Sequence, residues 1–547
     1  METNRTERCG GQLAYAALLS WVHVEAFRIA PRAYLTACWW RLKRKRVRSR
    51  AQFATLLGAS PHAYSLWALQ RTRAGRLRAG ECAASHEAGT PLIIALVDLV
   101  EGETGLAGTL QALADEGITA LTIGHEGPAE VVARTDRNAR PWLMPIAAGD
   151  RVAAGTGSAY RKAIAEAGAD VSVFYADDDL VTPRGNYVSP HFKPDWNSEL
   201  FRHFDYLTGA CILRADADDL ATARGRDWAR QLVARAAGQG TPMHLREVLH
   251  HRRSRPAPAV PAAVAAPSRD LPPVSVIVPT RNRVDLLRTC FAGVSATAYP
   301  DIELIVVDND SNDPETLAYL DRLPETIPGV RVQLLRHAGA FNFSAINNRA
   351  AEAANGRLLC LLNNDIEVIE PHWLTTMVVQ ALRRNVGAVG ARLLYPDGRI
   401  QHAGVVIGMG NAAGHAHRFL LPQEEGYFYR HALPQFTSAV TAACLVVQRE
   451  RFFAVGGLNA RDFAVAFNDV DLCLRLNERG WQSLYEPRAT LIHHESVSRG
   501  LDRDPVGAVR FAGELAALQR LWRTDNLTDP FHHPRLSRAA ERFTLEL

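Results

Sequence analysis

The sequence predicts an α/β protein with mixed, mainly parallel sheets, and three observations carry that expectation. Strand and helix patterns alternate from Val274 to Asp365 at the spacing of βαβ units. Three of those strands run into polar clusters, Pro279-Thr280-Arg281-Asn282, Asp308-Asn309-Asp310-Ser311 and Asn363-Asn364-Asp365, where open α/β sheets bind ligands. A Pro/Ala-rich tract over 254–273 reads as a semi-rigid spacer. The 547 residues, too many for one core, therefore divide into several units. We expect a helical, basic segment at 1–89, a first α/β domain at 90–253, the spacer, a second α/β domain at 274–500 and a helical tail at 501–547.

In chain order, Leu13 to Leu35 is apolar-rich but interrupted by His23, Glu25, Arg28, Pro31 and Arg32, which predicts an amphipathic helix pair. It is too broken to cross a membrane and lacks the layout of a signal peptide. Arg41 to Arg50 packs seven cations into ten residues. Such a run suits either a solvated helix face or peripheral contact with acidic lipid or nucleic acid. In the first domain, strands are expected at Pro91 to Leu96, Ile118 to Ile123 and Trp142 to Ile146, and Asp177 to Asp179 can be read as an acidic turn. In the second they are expected at Val274 to Val278, Glu303 to Val307, Val332 to Leu335 and Arg357 to Leu362. A helix N-capped by Asp285 carries Leu286, Leu287, Cys290, Phe291 and Val294, and another runs from Ser344 to Gly356. Strands at Val386 to Leu394, Ser438 to Val447 and Gln482 to Ile492, with a helix from Asp469 to Arg479, complete the pattern.

Composition narrows the class. Sixty-two Lys and Arg against 58 Asp and Glu leave a net charge of +4, which by itself points to no partner. The eight cysteines are scattered, with no CxxC pair. They suit reduced thiols in a cytoplasmic protein better than a disulfide framework or a zinc site.

Asp365, at a strand's carboxyl end, is a candidate metal or phosphate-handling residue, although Asn-Asn-Asp is also ordinary turn chemistry. Asn282, Asp308, Asp310 and Asp365 together suit a nucleoside diphosphate, with carboxylates accepting from ribose or base and a divalent metal at Asp365. The chain has neither a GxGxxG after the first of these strands nor a GxxxxGK[ST]. Asp469 and Asp471 begin a helix. Asp471 has Arg475 one turn on, so a helix-face ion pair explains it, whereas Asp469 is either a cap or a general base. His493 and His494 close an apolar strand and offer imidazole to the metal, or simply satisfy hydrogen bonds. His402 and Gly404, with the Gly/His segment 414–417, are candidates for an acceptor cleft.

These motifs, in this order from Val274 to Gly500, resemble the family 2 glycosyltransferases, inverting enzymes with the GT-A (nucleotide-diphospho-sugar transferase) fold. The segments Ile400 to Gly404 and Asn342 to Asn348 look like the bacterial group that builds O-antigen and other surface polysaccharides, including rhamnosyltransferases. The resemblance implies Mg2+ or Mn2+ held by Asp365 and His493. It places Pro279, Thr280, Asn282, Asp308, Asp310, Asn363 and Asn364 around the donor, with Asp469 as catalytic base. His402, Gly404, Asp471 and His494 would serve the acceptor or a secondary role. Asn363 stands where the family's DxD motif has its first acid, so the metal site has one charge fewer. The implied partners are a nucleoside-diphosphate sugar and a glycan or lipid-linked acceptor, with no nucleic acid. The expected location is the cytoplasm or the inner face of its membrane.

The first domain looks like a degenerate copy. Gly124 stands where the second domain has Asp308, and Ala147 to Asp150 where it has Asn363 to Asp365. We expect this domain to scaffold or bind acceptor. The alternatives are a bifunctional transferase, for which Asp177 to Asp179 is the best argument, or a sugar-nucleotide-binding or nucleotidyltransferase protein.

Overall fold

The computed structural model describes residues 3–76, 91–99, 102–124, 127–133, 141–262, 271–327, 329–494 and 505–547. Much of the spacer, the stretch 77–90 and the end of the histidine motif after His494 lie outside the described residues. Four helices come first: α1 (Thr3–Ile29), α2 (Pro31–Leu42), α3 (Arg46–Gly58) and α4 (Ala63–Arg76). The break expected around Pro31 falls at Ala30, where the backbone leaves the helical region and Pro31 starts the next helix.

The first sheet contains β1 (Ile93–Asp98), β2 (Thr119–Ile123), β3 (Trp142–Ala147), β4 (Arg151–Val152), β5 (Val171–Val181), β6 (Tyr187–His191), β7 (Cys211–Leu213) and β8 (Thr241–Arg252). Its order is β2-β1-β3-β7-β5-β8-β4, with β6 on β5. The second contains β9 (Val274–Thr280), β10 (Ile302–Asp308), β11 (Arg331–Arg336), β12 (Leu358–Leu362), β13 (Ile366–Val368), β14 (Val386–Leu394) and β15 (Ile400–His402). A two-stranded hairpin, β16 (Val405–Ile407) with β17 (Ala413–His415), follows, and β18 (Gln435–Thr437), β19 (Cys444–Gln448) and β20 (Gln482–His493) complete the sheet. Its order is β11-β10-β9-β12-β19-β14-β20-β13.

Apart from the edge strand β11, the two orders are the same. So are the directions: β1 and β9 each pair in parallel with two neighbours, β7 and β19 are antiparallel insertions, and β8 and β20 each pair antiparallel with a short final strand. Helices cover both faces of the second sheet. The five residues of β12 are fully buried because two apolar clusters sandwich them, the reason this strand reads as an unbroken hydrophobic run. Each such side chain contributes about 1.5–3 kcal/mol of burial energy.

Three expectations for elements need correction. Asp285 does not cap its helix. The cap position is Arg283, in the left-handed region at φ +62°, and Asp285 pairs with the Arg283 guanidinium at 2.6 Å. The helix expected from Ser344 spans Phe343–Ala353 and is capped by Asn342, whose side chain accepts from the Ala345 amide. The strand expected over 438–447 is confined to its end, β19 (Cys444–Gln448), because before it the Ala442 amide is turned to the Asp469 carboxylate.

Asp177 to Asp179 lie inside β5, buried, rather than in an acidic turn. Asp178 is neutralised by Lys193, whose ammonium is 2.8 Å away, and by Arg255. Asp179 accepts from Tyr64 at 2.6 Å and meets His251. Asp177 sits between His244 and His533, at 3.0 and 3.1 Å. The Arg535 amide donates to His533 Nδ1 at 3.0 Å, which leaves the ring proton on Nε2, facing Asp177. His244 also meets Asp195, at 3.2 Å. The trio is thus joined by the His244–Asp177 hydrogen bond and a close His533–Asp177 contact, and its three ligand atoms also lie near enough together to hold a metal ion.

That trio brings in the segment 524–547, which runs between the sheets. The Asp529 carboxylate accepts from the Ile407 amide at 2.7 Å on the second unit, and the Pro530 carbonyl accepts from the Asp195 amide at 2.7 Å on the first.

Candidate active site

The site lies at the carboxyl ends of β9, β10 and β12 and the end of β20. β12 delivers Asn363, Asn364 and Asp365, and the first residue of β13, Ile366, pairs with His493. That register places Asp365 Oδ1 3.1 Å from His493 Nε2. Both residues are buried. Gln401 Oε1 lies 2.6 Å from His493 Nδ1, so that nitrogen donates to the amide and Nε2 turns its lone pair on Asp365. Asp365 Oδ1 has no well-directed hydrogen bond. Two acceptors facing one another at this distance call for a proton or a cation between them, so one carboxylate and one oriented imidazole fit a divalent metal. Burial pushes the Asp365 carboxyl up, and the close approach of the His493 ring pulls it the other way, leaving Asp365 below its ordinary value.

Asp469 is the second acid of the helix Asn468–Glu478, which starts after Phe467 in the left-handed region at φ +61°. It does not cap the helix. One carboxylate oxygen accepts from the Ala442 amide at 3.0 Å and the other from its neighbour Val470 at 2.8 Å, and the Thr441 hydroxyl also reaches it. Burial raises its pKa above the ordinary value against these hydrogen bonds. Although densely surrounded, Asp469 is not fully buried, as a proton acceptor requires.

A short chain of hydrogen bonds joins the two acids. The Thr441 amide donates to His402 Nε2 at 3.3 Å, His402 Nδ1 donates to the Ala391 carbonyl at 2.9 Å, and the preceding residue, Gln401, holds His493. On the other side, the Asn363 amide donates to the Ala443 carbonyl at 2.9 Å, one residue from the amide that holds Asp469.

The donor-side residues cluster as expected but largely satisfy one another. Asn282 adopts a left-handed conformation at φ +55°, and its side-chain oxygen accepts from the Asn312 and Asp313 amides at 2.9 and 3.1 Å. It staples the loop after β9 to the loop after β10, a turn role that asparagine fills at low cost. Asp308 accepts from the Ser311 amide and pairs with Arg336. Asp310, at φ +53°, accepts from the Gly339 amide at 2.8 Å and is exposed. Thr280 Oγ1 accepts from the Asn364 amide group at 3.1 Å, linking β9 to β12, and Pro279 is buried within β9. Beside Asp365, a small cavity of about 190 Å³ is lined by Leu286, Thr289, Glu367 and His494.

Three secondary assignments change, and the fourth residue, His494, stays on the cavity beside Asp365. His402 is wholly buried with both ring nitrogens engaged, and burial holds it neutral with a pKa pushed down to about 4. It positions Thr441 and cannot touch an acceptor. Gly404, at φ +93°, lies so close to Thr437 that a Cβ would stand 2.8 Å from its hydroxyl, so it serves backbone packing. Asp471 is taken by Arg475 at 2.7 Å and by the Trp522 indole at 2.9 Å. His494 meets Glu367 at 2.9 Å. Sequence reading missed Gln401 and Thr441. Gln401 sits in the Gln401-His402-Ala403-Gly404 run, which was its one signal, and Thr441 gave none.

In the first sheet, β4 pairs Arg151 with His251 as β13 pairs Ile366 with His493, so Asp150 and His251 occupy the places of Asp365 and His493. They do not meet there. Asp150 accepts from the Arg253 amide at 2.7 Å, and His251 turns to Asp179 at 2.6 Å.

Residues 275–430 match the model described as "Glycosyl transferase family 2". The chain is 37% identical over 429 residues to the uncharacterized protein y4gI of Sinorhizobium fredii, covering 70% of this chain and 47% of that one. It is 34% identical over 420 residues to the O-antigen biosynthesis protein RfbC of Myxococcus xanthus, covering 68% and 32%. Over 66 residues it is 44% identical to the N-acetylglucosaminyl-diphospho-decaprenol L-rhamnosyltransferase of Mycobacterium tuberculosis, covering 12% and 20%. A solved mannosyltransferase, PcManGT from Pyrobaculum calidifontis in complex with GDP-Man and Mn2+, matches with TM-score 0.37 and 20% identity over 50% of this chain and 70% of that one. The chain spans less than half the length of the first two relatives. Asp365 lies inside the matched segment, Asp469 and His493 follow it, and residues 275–430 thus carry a glycosyltransferase family 2 domain.

Proposed function

We propose that the chain moves a sugar from a nucleoside-diphosphate donor to a hydroxyl of a glycan or lipid-linked acceptor in surface polysaccharide synthesis, with inversion at the anomeric carbon. The observation that carries this reading is the linked pair of sites: an acid and an oriented imidazole at two facing strand ends, and a part-buried acid with a raised pKa two hydrogen bonds away. The family match and the names of RfbC and the rhamnosyltransferase support it.

Asp469 takes the proton of the acceptor hydroxyl as its oxygen bonds to the anomeric carbon. The bond from that carbon to the diphosphate breaks, and its electron pair leaves with the nucleoside diphosphate. The raised pKa makes Asp469 a better proton acceptor than an exposed aspartate. Asp365 and His493 would hold Mg2+ or Mn2+, whose chemistry is to neutralise charge on the departing diphosphate. Gln401 fixes the His493 ring, and His402 holds Thr441 against Asp469. Donor binding at β9 and β10 requires Asp308 to exchange Arg336 for the nucleoside, or to bind with Arg336 in place.

In this reading, residues 90–253 form a domain that keeps the strand order and has lost the chemistry, and 274–500 hold the single working site. Incubation with Mn2+ and a panel of nucleotide sugars tests it. Release of a nucleoside diphosphate is expected, release of pyrophosphate would mean a nucleotidyltransferase, and release of neither would overturn the reading.

A further inference from the structure

The N-terminal helices carry a surface that the transfer reading does not use. Between Glu25 and Glu81 the chain has no acidic residue and thirteen Lys or Arg. Glu25 itself is spent internally, accepting from the Ser60 hydroxyl and meeting His62 at 2.7 Å. The cations from Arg41 to Arg48 are all exposed. Apolar side chains protrude beside them. Leu35, Trp39 and Leu42 follow one another at i, i+4 and i+7 along one stripe of α2 and are 58%, 55% and 74% exposed. Val47, at the start of α3, is 81% exposed, and Trp21 and Phe27 protrude from α1.

Two of these rings carry a cation of their own: Lys43 Nζ lies 4.8 Å from the Trp39 ring centre and the Arg28 guanidinium 5.9 Å from that of Trp21. An indole with a long cationic side chain over it suits the boundary between hydrocarbon and charged headgroups, where tryptophan prefers to sit and Lys or Arg can reach outward. The opposite side of these helices is anchored. Val22, Ala26 and Ala37 are buried, Ser49 donates to the Ala37 carbonyl at 2.9 Å, and Tyr64 on α4 donates to Asp179 of β5. No helix among the described residues is long and apolar enough to cross a membrane.

We propose that α1 to α3 form a docking face for an anionic lipid bilayer, on which the protein lies peripherally. Phosphate headgroups complement the unopposed cations, and the hydrocarbon boundary accepts the protruding aliphatic and indole groups. A nucleic acid would use the cations but leave Leu35, Leu42 and Val47 in water. The inference rests on this surface alone and stands or falls separately from the sugar-transfer reading.

The test is flotation of the full chain with phosphatidylcholine vesicles, with and without phosphatidylglycerol, in the absence of donor and acceptor. Binding at least about tenfold stronger to the anionic vesicles, and weakening with salt, is expected. K43Q/K45Q lowers it by roughly fivefold per cation removed. W39S/L42S lowers it by about tenfold or more at unchanged charge. Circular dichroism confirms that these exposed substitutions leave the fold intact. Equal binding to neutral vesicles, or wild-type binding by both variants, overturns the proposal. So does tighter binding to duplex DNA than to vesicles, or a dimer that W39S/L42S dissolves in a protein that ignores vesicles.

Discussion

Asp365 and Asp150 stand at the same place in two sheets of one strand order, and their surroundings differ at a few atoms. Asp365 faces an imidazole whose other nitrogen is held by Gln401. Asp150 faces the backbone of Arg253, whose side chain also crosses to the Thr104 carbonyl, and its counterpart histidine is engaged with Asp179. The skeleton of strands is shared because it rests on apolar burial and ladder hydrogen bonds, which many sequences satisfy. The site depends on three or four polar groups pointing inward together, and a few polar replacements dissolve it. A repeated fold is therefore weak evidence of a repeated activity.

Removing the base should give the largest separation between the two units. D469N is expected to lower turnover by about 10²–10⁴-fold while leaving donor affinity nearly unchanged, and single-turnover assays beside equilibrium donor binding check both halves. Because burial raises the pKa of Asp469, the wild-type rate should fall on acidification at a higher pH than an ordinary aspartate would give. The next effect concerns the metal. Q401L removes the hydrogen bond that orients His493 and should raise the Mn2+ concentration needed for half-maximal rate by about 10–100-fold, measured by metal titration. A D471A substitution in the same helix is expected to act on stability instead, lowering it by about 2–4 kcal/mol in urea unfolding because Arg475 is left without its partner.

The smallest effect belongs to the first sheet and has a definite sign. Burial raises Asp150 to about 6, above its unfolded value, so the fold bears the cost of ionising it above that pH and is relieved as pH falls toward 4. D150N should leave turnover unchanged and raise stability at pH 8 by about 1–3 kcal/mol, with roughly half that gain at pH 5 and little below pH 4. Loss of sugar transfer in D150N would instead show that both units work.

Much of the strand layout was legible because each central strand is a continuous apolar run that ends on a polar cluster. The counterpart relation of Ala147-Ala148-Gly149-Asp150 to Asn363-Asn364-Asp365 was legible for the same reason. The pairing of residues within the site was not. Gln401 meets His493 across 92 positions of chain, and no local pattern encodes such a contact. Asn282 and Asp308 looked free for a ligand because a sequence displays donors and acceptors without showing which neighbours already use them. Asp177 to Asp179 misled for the opposite reason: three acids in a row suggest solvent, and only Lys193, Arg255, His244 and Tyr64, brought from distant segments, make a strand interior tolerable for them.

The segment 524–547 binds Ile407 of one sheet through Asp529 and approaches Asp177 of the other through His533. It follows both sheets in the chain. During synthesis each sheet can complete its own ladders before this segment exists, so the contacts that it adds to the direct ones between the units, such as Asn197 with Phe436 and Arg383 with Glu199, form after both sheets. Mutations there should slow assembly of finished domains more than the folding of either one.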